Sequence, residues 1–287
     1  MISLVIPVYN EVGAIASTVT SAREILSGLG VPFEIVVVDD GSTDGSNAVL
    51  RELADIKLLV HPHNVGYGRA LKTGIAAASH DTIAISDADG TYPLHELPGL
   101  LASYRTKGFD MVVGARTGIN YHESAMKAPL RAILKFIVEY AAGRKIPDIN
   151  SGLRVFSKAT AMRYFTHLSD TFSFTTSLTL SYVMNRHFVA YQDIPYGARI
   201  GETKVRLVRD SLRTLQNVVQ SAVYYNPLKM FILLAMVCVV FSVACFFIAA
   251  VLLLKIGYFL GIGGLLMSIH IIALGFLAIL LKQIMDH

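Results

Sequence analysis

Short runs dense in Val and Ile alternate with stretches whose apolar residues recur at helical spacing. Ser3 to Val8, Glu34 to Val38, Lys57 to Val60, Thr82 to Ser86 and Met111 to Val113 predict strands. Between and after them, Ala14 to Leu29, Ser46 to Leu53, Gly68 to Ala78 and Leu94 to Lys107 predict amphipathic helices. This alternation predicts an α/β fold with a mainly parallel sheet covered on both faces. Ligands of such sheets collect at the carboxyl ends of the strands. The polar residues fall at those ends: Tyr9-Asn10-Glu11 after the first run, Asp39-Asp40-Gly41-Ser42 after the second, and Asp87-Ala88-Asp89 after the fourth. Three acid-bearing strand ends are therefore expected to converge on one crevice.

Farther along, the pattern changes twice. Met126 to Tyr140 and Leu207 to Val223 are amphipathic, the first carrying Lys127, Arg131 and Lys135 at spacings of four along one helical face. Both suit a membrane interface, the alternative being solvated helices with an inward apolar stripe. From residue 230 the alternation stops. Residues 230–254 hold no charged side chain, and residues 256–281 hold no Lys, Arg, Asp or Glu and a single histidine, His270. About 20 apolar residues suffice to cross a hydrocarbon core, so the two stretches, parted by Lys255, predict two transmembrane helices in a hairpin; a long buried pair of core helices is the alternative.

Composition supports the lipid reading. Apolar residues make up 53% and charged ones 16%, against about 45–50% and 25% for ordinary soluble domains. All Lys and Arg except Lys255 and Lys282, and all Asp and Glu except Asp286, precede residue 230, so that part is expected to be water-soluble. Arg206, Arg209, Arg213 and Lys229 lead into the first span and Lys282 follows the second, which predicts both termini on the cytoplasmic side. No basic leader or cleavage site marks the N-terminus as a signal peptide. The net charge of +4, clustered toward the spans, suits anionic lipid better than nucleic acid. Cys238 and Cys245, seven apart in the first span, read as packing residues.

Asp87 and Asp89 carry the candidate chemistry. Two carboxylates at the end of a buried strand are costly unless a cation compensates them, and oxygen-only donors favour Mg²⁺ or Mn²⁺ completed by substrate phosphate and water. Gly66-Tyr67-Gly68 begins like a dinucleotide-binding fingerprint, but Leu71 stands where the third glycine belongs. The remaining histidines, His61 and His187 among them, show no metal-ligand spacing.

Seven segments together carry a resemblance. Ile6-Pro7-Val8-Tyr9-Asn10-Glu11, Val38-Asp39-Asp40-Gly41-Ser42-Thr43-Asp44, Asn64-Val65-Gly66, Asp87-Ala88-Asp89, Gly114-Ala115-Arg116, Ser151-Gly152-Leu153-Arg154 and Gly201-Glu202-Thr203-Lys204 occur in the order of the family-2 glycosyltransferases. Among these the chain resembles the dolichyl- or polyprenyl-phosphate glycosyltransferases, and its hairpin is similar to that of their bacterial branch. The resemblance implies a GT-A catalytic domain over residues 1–205 facing the cytoplasm, a juxtamembrane amphipathic helix over 206–228 and a two-helix transmembrane hairpin over 229–287. It implies that Pro7, Tyr9, Glu11, Val38, Asp40, Asp87, Ala88 and Asp89 bind a nucleotide sugar. Asp87 and Asp89 would hold Mg²⁺ or Mn²⁺, Asp89 foremost. Relatives often place Gln two residues after the second Asp; Thr91 stands there in this chain, which implies a weak or water-mediated ligand. Arg116, Arg131, Arg199 and Lys204 match basic positions of the lipid-phosphate group, and Asp89, Arg131 and Arg116 are the implied catalytic residues.

The acceptor can also be argued chemically. Transfer to a hydroxyl needs a general base, yet Phe172 to Ser177 contains no acid where relatives acting on hydroxyls tend to have one. A phosphate monoester, with a second pKa of about 6, is already largely a dianion at neutral pH and needs only cationic positioning, which arginine supplies in bidentate fashion. The expectation is inverting transfer of a hexose from a UDP-sugar, UDP-glucose ahead of GDP-mannose, to polyprenyl phosphate such as undecaprenyl phosphate. Asp148 and Asp170 are spare acids that keep a hydroxyl acceptor open, and a non-enzymatic nucleotide-sugar-binding scaffold is the third alternative. Processive synthases carry Gln-x-x-Arg-Trp, and this chain has no tryptophan. Self-association through residues 207–281 into a homo-oligomer is the expected quaternary state.

Overall fold

Seven strands form one sheet in the order β3-β2-β1-β4-β6-β5-β7 in the computed structural model, which describes residues 1–118, 128–197 and 207–285, the side chains of 128–131, 207–214 and 285 excepted. The strands are β1 (Ile2–Val8), β2 (Phe33–Asp39), β3 (Lys57–Val60), β4 (Thr82–Ile85), β5 (Met111–Thr117), β6 (Arg154–Ser157) and β7 (Val189–Pro195). Helices α1 (Ile15–Ser27), α2 (Ser46–Glu52), α3 (Tyr67–Ala77) and α4 (Leu97–Thr106) connect the first five, α4 entered through a 3-10 turn at Leu94–Glu96. Next come α5 (Ala128–Ala142), α6 (Lys158–Met162), α7 (Phe174–Met184) and α8 (Leu207–Tyr225), then α9 (Pro227–Leu252) and α10 (Lys255–Met285). Each strand and helix expected from the periodicity of residues 1–113 is present, with ends moved by a few residues.

The sheet is parallel except at β6, which runs antiparallel to both β4 and β5. β6 is short, and neither β6 nor β7 carries much alternation in sequence, because β6 is buried among its neighbours and β7 pairs along an edge where Tyr191, Gln192 and Asp193 face partly outward. The mainly parallel arrangement follows from the crossover helices. Because the chain runs from β1 outward through β2 to β3 and then returns to place β4 on the other side of β1, a topological switch point lies between β1 and β4. The carboxyl ends of β2, β1 and β4 are therefore neighbours, which is where an open α/β sheet binds ligands. The core is a run of β-branched and leucine side chains from β1, β2, α1 and α4, including Ile2, Leu4, Ile6, Val37, Leu26 and Leu100.

The chain divides into two units, residues 1–136 with 145–218 and residues 137–144 with 219–287. The first contains the sheet. In the second, α9 and α10 pack as an antiparallel pair through glycines: a Cβ on Gly257, Gly261, Gly264 or Gly275 would meet Ala249, Phe246, Ser242 or Phe231 within 2.2–2.8 Å. Both helices are long and apolar enough to cross a membrane and fit a membrane hairpin. Their outward side chains, such as Val240 at 69% and Phe259 at 75% exposure, are not the interior of a soluble core. Two lysines of this unit sit at helix ends. Lys229 Nζ donates to the carbonyls of Tyr140 and Ala141 at 3.4 and 3.3 Å, and Lys282 Nζ donates to that of Tyr225 at 2.9 Å, each a cation on the last carbonyls of a helix.

Candidate active site

The loops after β1 and β2 are stitched together by polar contacts of short side chains. Asn10, at φ 55°, receives the backbone N–H of Thr43 on its Oδ1 at 2.7 Å, while its own N–H donates to Ser42 Oγ at 2.9 Å. The N–H of Glu11 donates to Ser46 Oγ and that of Val12 to Asp44 Oδ2, at 2.9 and 3.0 Å. Tyr9 and Glu11 are thereby held half-exposed at the rim. Pro7 and Val38 are register partners in β1 and β2, and Val38 packs its side chain toward Gly74 of α3.

Asp40 is 2% exposed and accepts from three sides. His61 Nδ1 lies 2.7 Å from its Oδ1, and the N–H groups of Val65 and Gly66 donate to it at 3.1 and 2.8 Å. A carboxylate only accepts, so Nδ1 carries the proton and Nε2 faces Thr73 Oγ1 at 3.0 Å. Asp40 therefore ties the end of β2 to the start of α3. His61, unassigned by motif, follows β3 as Asp40 follows β2, and strand-end position would have marked it.

The Asp87-Ala88-Asp89 segment leaves β4 beside β1. Asp89 is 6% exposed and accepts from Thr91 twice, from its N–H at 3.1 Å and from its hydroxyl at 2.6 Å, a return made possible by Gly90 at φ 72°. Thr91, expected as a weak or water-mediated ligand, is hydrogen-bonded to Asp89 in this geometry. Ala88 is buried, its carbonyl accepting from Thr18 Oγ1 of α1 at 3.2 Å. Asp87 accepts from the Tyr67 hydroxyl at 2.7 Å. Burial, and then the charge and hydrogen bond of Asp87, push the Tyr67 phenol well above its ordinary pKa, so it remains a donor throughout the neutral range. Tyr67 comes from the very Gly-Tyr-Gly segment that motif reasoning set aside.

The Ser151-Gly152-Leu153-Arg154 strap closes the other side. Arg154 is fully buried, and the groups that accept its hydrogen bonds are neutral: the carbonyls of Ser151, Ile149 and Thr175, the Met111 thioether and the Thr179 hydroxyl, the last at 2.9 Å. Gly152 donates its N–H to the Tyr92 hydroxyl at 2.6 Å.

Arg116, at the end of β5, is bound to Asp148. Its Nε and Nη2 donate to Oδ2 and Oδ1 at 2.7 and 3.0 Å and its N–H to Oδ2 at 3.1 Å, while its guanidinium lies 5.3 Å from the centre of the Tyr196 ring. Burial raises the Asp148 carboxyl, but the hydrogen bonds and charge of Arg116 outweigh it and hold the pKa below the ordinary value. Asp148 is thus an ion-pair partner, which is poor preparation for a base. Asp170 pairs with Lys72 Nζ at 2.7 Å. Arg131 lies in α5 with its side chain outside the described residues, and Arg199 and Lys204 are outside them altogether.

No group of three or more His, Cys, Asp or Glu side chains close enough to hold a metal occurs among the described residues. The donor set still suits a divalent ion of the Mg²⁺ or Mn²⁺ kind, which takes one or two carboxylates and completes its shell with substrate phosphate and water.

The family model described as "Glycosyl transferase family 2" matches residues 3–165. Among curated proteins, the chain is 35% identical over 164 residues to the low-salt glycan biosynthesis hexosyltransferase Agl6 of Haloferax volcanii, 55% of this chain and 38% of that one. It is 32% identical over 162 residues to the undecaprenyl-phosphate 4-deoxy-4-formamido-L-arabinose transferase of Pseudomonas fluorescens, 55% of this chain and 47% of that one. The match thus spans less than half the length of these relatives. Among solved structures, glucosyl-3-phosphoglycerate synthase from Mycobacterium tuberculosis, in complex with Mn²⁺, UDP-glucose and phosphoglyceric acid, superposes with a TM-score of 0.63 at 22% identity, covering 77% of this chain and 79% of that one. That likeness concerns the fold, which is the expected GT-A arrangement.

Proposed function

The chain belongs to glycosyl transferase family 2, and from that premise we propose that it transfers a hexose from a nucleotide sugar to polyprenyl phosphate at the cytoplasmic face of a membrane. The observation carrying this reading is the convergence of Tyr9, Glu11, Asp40, Asp87 and Asp89 at one edge of the sheet, beside the β1/β4 switch point, in a chain that also bears two membrane-length helices. The relatives named for undecaprenyl phosphate support the acceptor class. UDP is the proposed base and UDP-glucose the proposed donor, in keeping with the nucleotide held by the structural neighbour.

In this reading Pro7, Tyr9, Glu11, Val38 and Asp40 hold the nucleoside, and Asp87 and Asp89 would hold Mg²⁺ or Mn²⁺ on the pyrophosphate side. Such an ion, when bound, neutralises charge on the departing nucleoside diphosphate. A phosphate oxygen of the lipid attacks the anomeric carbon as the bond from that carbon to the nucleotide's β-phosphate oxygen breaks, inverting configuration and releasing the nucleoside diphosphate. No proton has to be removed from a dianionic acceptor. Pairing of Asp148 with Arg116 agrees with that economy. Arg131, Arg199 and Lys204 are proposed to grip the acceptor phosphate together with Arg116: Arg131 and Arg199 through their guanidinium forks, Lys204 as a point charge, and Arg116, whose Nε–Nη2 edge is held by Asp148, through its remaining charge. The enzyme is proposed to work as a homo-oligomer held by residues 207–281.

The test incubates detergent-purified protein with Mg²⁺ or Mn²⁺, undecaprenyl phosphate and a panel of UDP- and GDP-sugars, followed by mass spectrometry of extracted lipid. A polyprenyl-phosphate hexose is expected, and Asp89→Ala is expected to lower turnover at least a hundredfold, as removal of a principal charge-stabilising group does. A sugar recovered on an alcohol oxygen, or undiminished turnover by Asp89→Ala, would overturn the reading.

A further inference from the structure

Two residues outside the expected site lie against the Asp87 carboxylate. Tyr67 donates its hydroxyl to Asp87 Oδ1 at 2.7 Å. A Cβ built on Gly152 would fall 2.7 Å from Oδ1, closer than real Cβ atoms approach, and 3.0 Å from both Cγ and Oδ2, so the carboxylate would have to shift. Only a glycine leaves the carboxylate the space it occupies.

Neither partner is loosely placed. The Tyr67 ring stacks on Phe172, centroids 5.8 Å apart and planes 19° from parallel. The following glycine, Gly68, brings α3 so near the 169–171 backbone that a Cβ there would sit 2.3 Å from the Ser169 carbonyl oxygen. Arg69 N–H donates to the Asp170 carbonyl at 3.0 Å and Lys72 Nζ to that of Leu168 at 2.6 Å, fixing the same contact. On the other side, Gly152 is held by its N–H bond to Tyr92, and the strap carrying it by Arg154, buried to 0% exposure, on the Ser151 carbonyl. Tyr92, Arg154 and Tyr67 are thus fixed by contacts that do not involve the nucleotide.

We propose that Tyr67 and Gly152 are positioning residues that fix the rotamer of Asp87 for the metal–diphosphate, the phenol by a hydrogen bond to one carboxylate oxygen and the glycine by the space it leaves. This inference rests on the reading above that Asp87 holds a divalent ion. Groups that orient a ligating carboxylate in this way commonly contribute about 10–100-fold to metal affinity. The phenol suits the task because its ring is clamped independently of its hydroxyl, so the hydroxyl can be removed while the stack stays.

The test titrates Mn²⁺ into full-length protein in detergent with saturating UDP, and with GDP in parallel, reading free Mn²⁺ by electron paramagnetic resonance; UDP and GDP binding in chelator is measured alongside. Tyr67→Phe is expected to weaken Mn²⁺ binding about tenfold while chelator-phase nucleotide binding and the melting temperature stay at wild-type values. Gly152→Ala is expected to weaken it at least as much. Wild-type Mn²⁺ affinity in Tyr67→Phe overturns the inference, and so does an equal loss of nucleotide binding in chelator, whether or not Gly152→Ala folds. If wild-type protein binds no Mn²⁺ with either nucleotide, the reading of the site falls along with it; if wild type binds and Tyr67→Phe matches it, only the inference falls.

Discussion

At the scale of single residues, the ion pair of Arg116 and Asp148 separates a structural from a catalytic acid. Both groups are largely buried and share two side-chain hydrogen bonds, so removing one charge strands the other. Breaking such a pair costs about 3–5 kcal/mol. Asp148→Asn is therefore expected to lower the stability of the detergent-solubilised chain by about 3 kcal/mol at pH 7, read from chemical denaturation. Because the folded carboxyl titrates below its unfolded value, the stabilisation is complete above an unfolded pKa of about 3.9 and is lost as pH falls through the lower folded value. The deficit of the variant should accordingly shrink in acid. A variant as stable as wild type but inactive would instead mark Asp148 as a base. The motif singled out Arg116, yet its partner 32 residues away belongs to an irregular segment with no periodicity to read.

At the scale of elements, the start of α3 has the greatest leverage on the site. Asp40 receives the N–H groups of Val65 and Gly66, Tyr67 reaches Asp87, and Gly68 meets the 169–171 backbone, all within four residues. Gly68→Ala gains about 1 kcal/mol of helix propensity, but its Cβ would press on backbone atoms that cannot turn aside, and overpacking of that kind costs about 1–3 kcal/mol. Net destabilisation is the expected outcome, with faster proteolysis near residues 169–171; a melting temperature raised above wild type would refute this account. The helices and strands of residues 1–113 were legible because burial on a sheet imposes period 2 or 3.6 on the side chains. β6 and β7 were not, since three consecutive buried residues in a four-residue β6 and an edge position for β7 leave no alternation to detect. The role of Gly66-Tyr67-Gly68 was equally hidden, being set by a loop about a hundred residues farther along.

At the scale of the whole molecule, charge distribution sets the expected topology. Cations precede α9 and follow α10, with Lys255 alone between the two helices, so the turn should face away from the cytoplasm. In a Cys238→Ser, Cys245→Ser background, a cysteine replacing Lys255 is expected to react with an impermeant maleimide added outside intact cells. One replacing the exposed Ser17 or Glu52 should react only after lysis. The opposite pattern would reverse the proposed orientation and remove the donor-binding edge from the cytosol, where nucleotide sugars are made. Glycines at 257, 261, 264 and 275 explain how two apolar helices pack: without a hydrophobic drive between them, close backbone approach supplies the attraction.

The sequence by itself determined the α/β class, the strand ends that bear the acids, the family and the two long apolar helices, because each of these is written in local composition or in spacing along the chain. Tertiary structure alone decided which acids are paired, as Asp148 with Arg116 and Asp170 with Lys72, and which neutral groups flank Asp87. Those relations join residues 20 to about 100 positions apart, and only the packing of helices and straps onto the sheet brings their atoms within hydrogen-bonding reach.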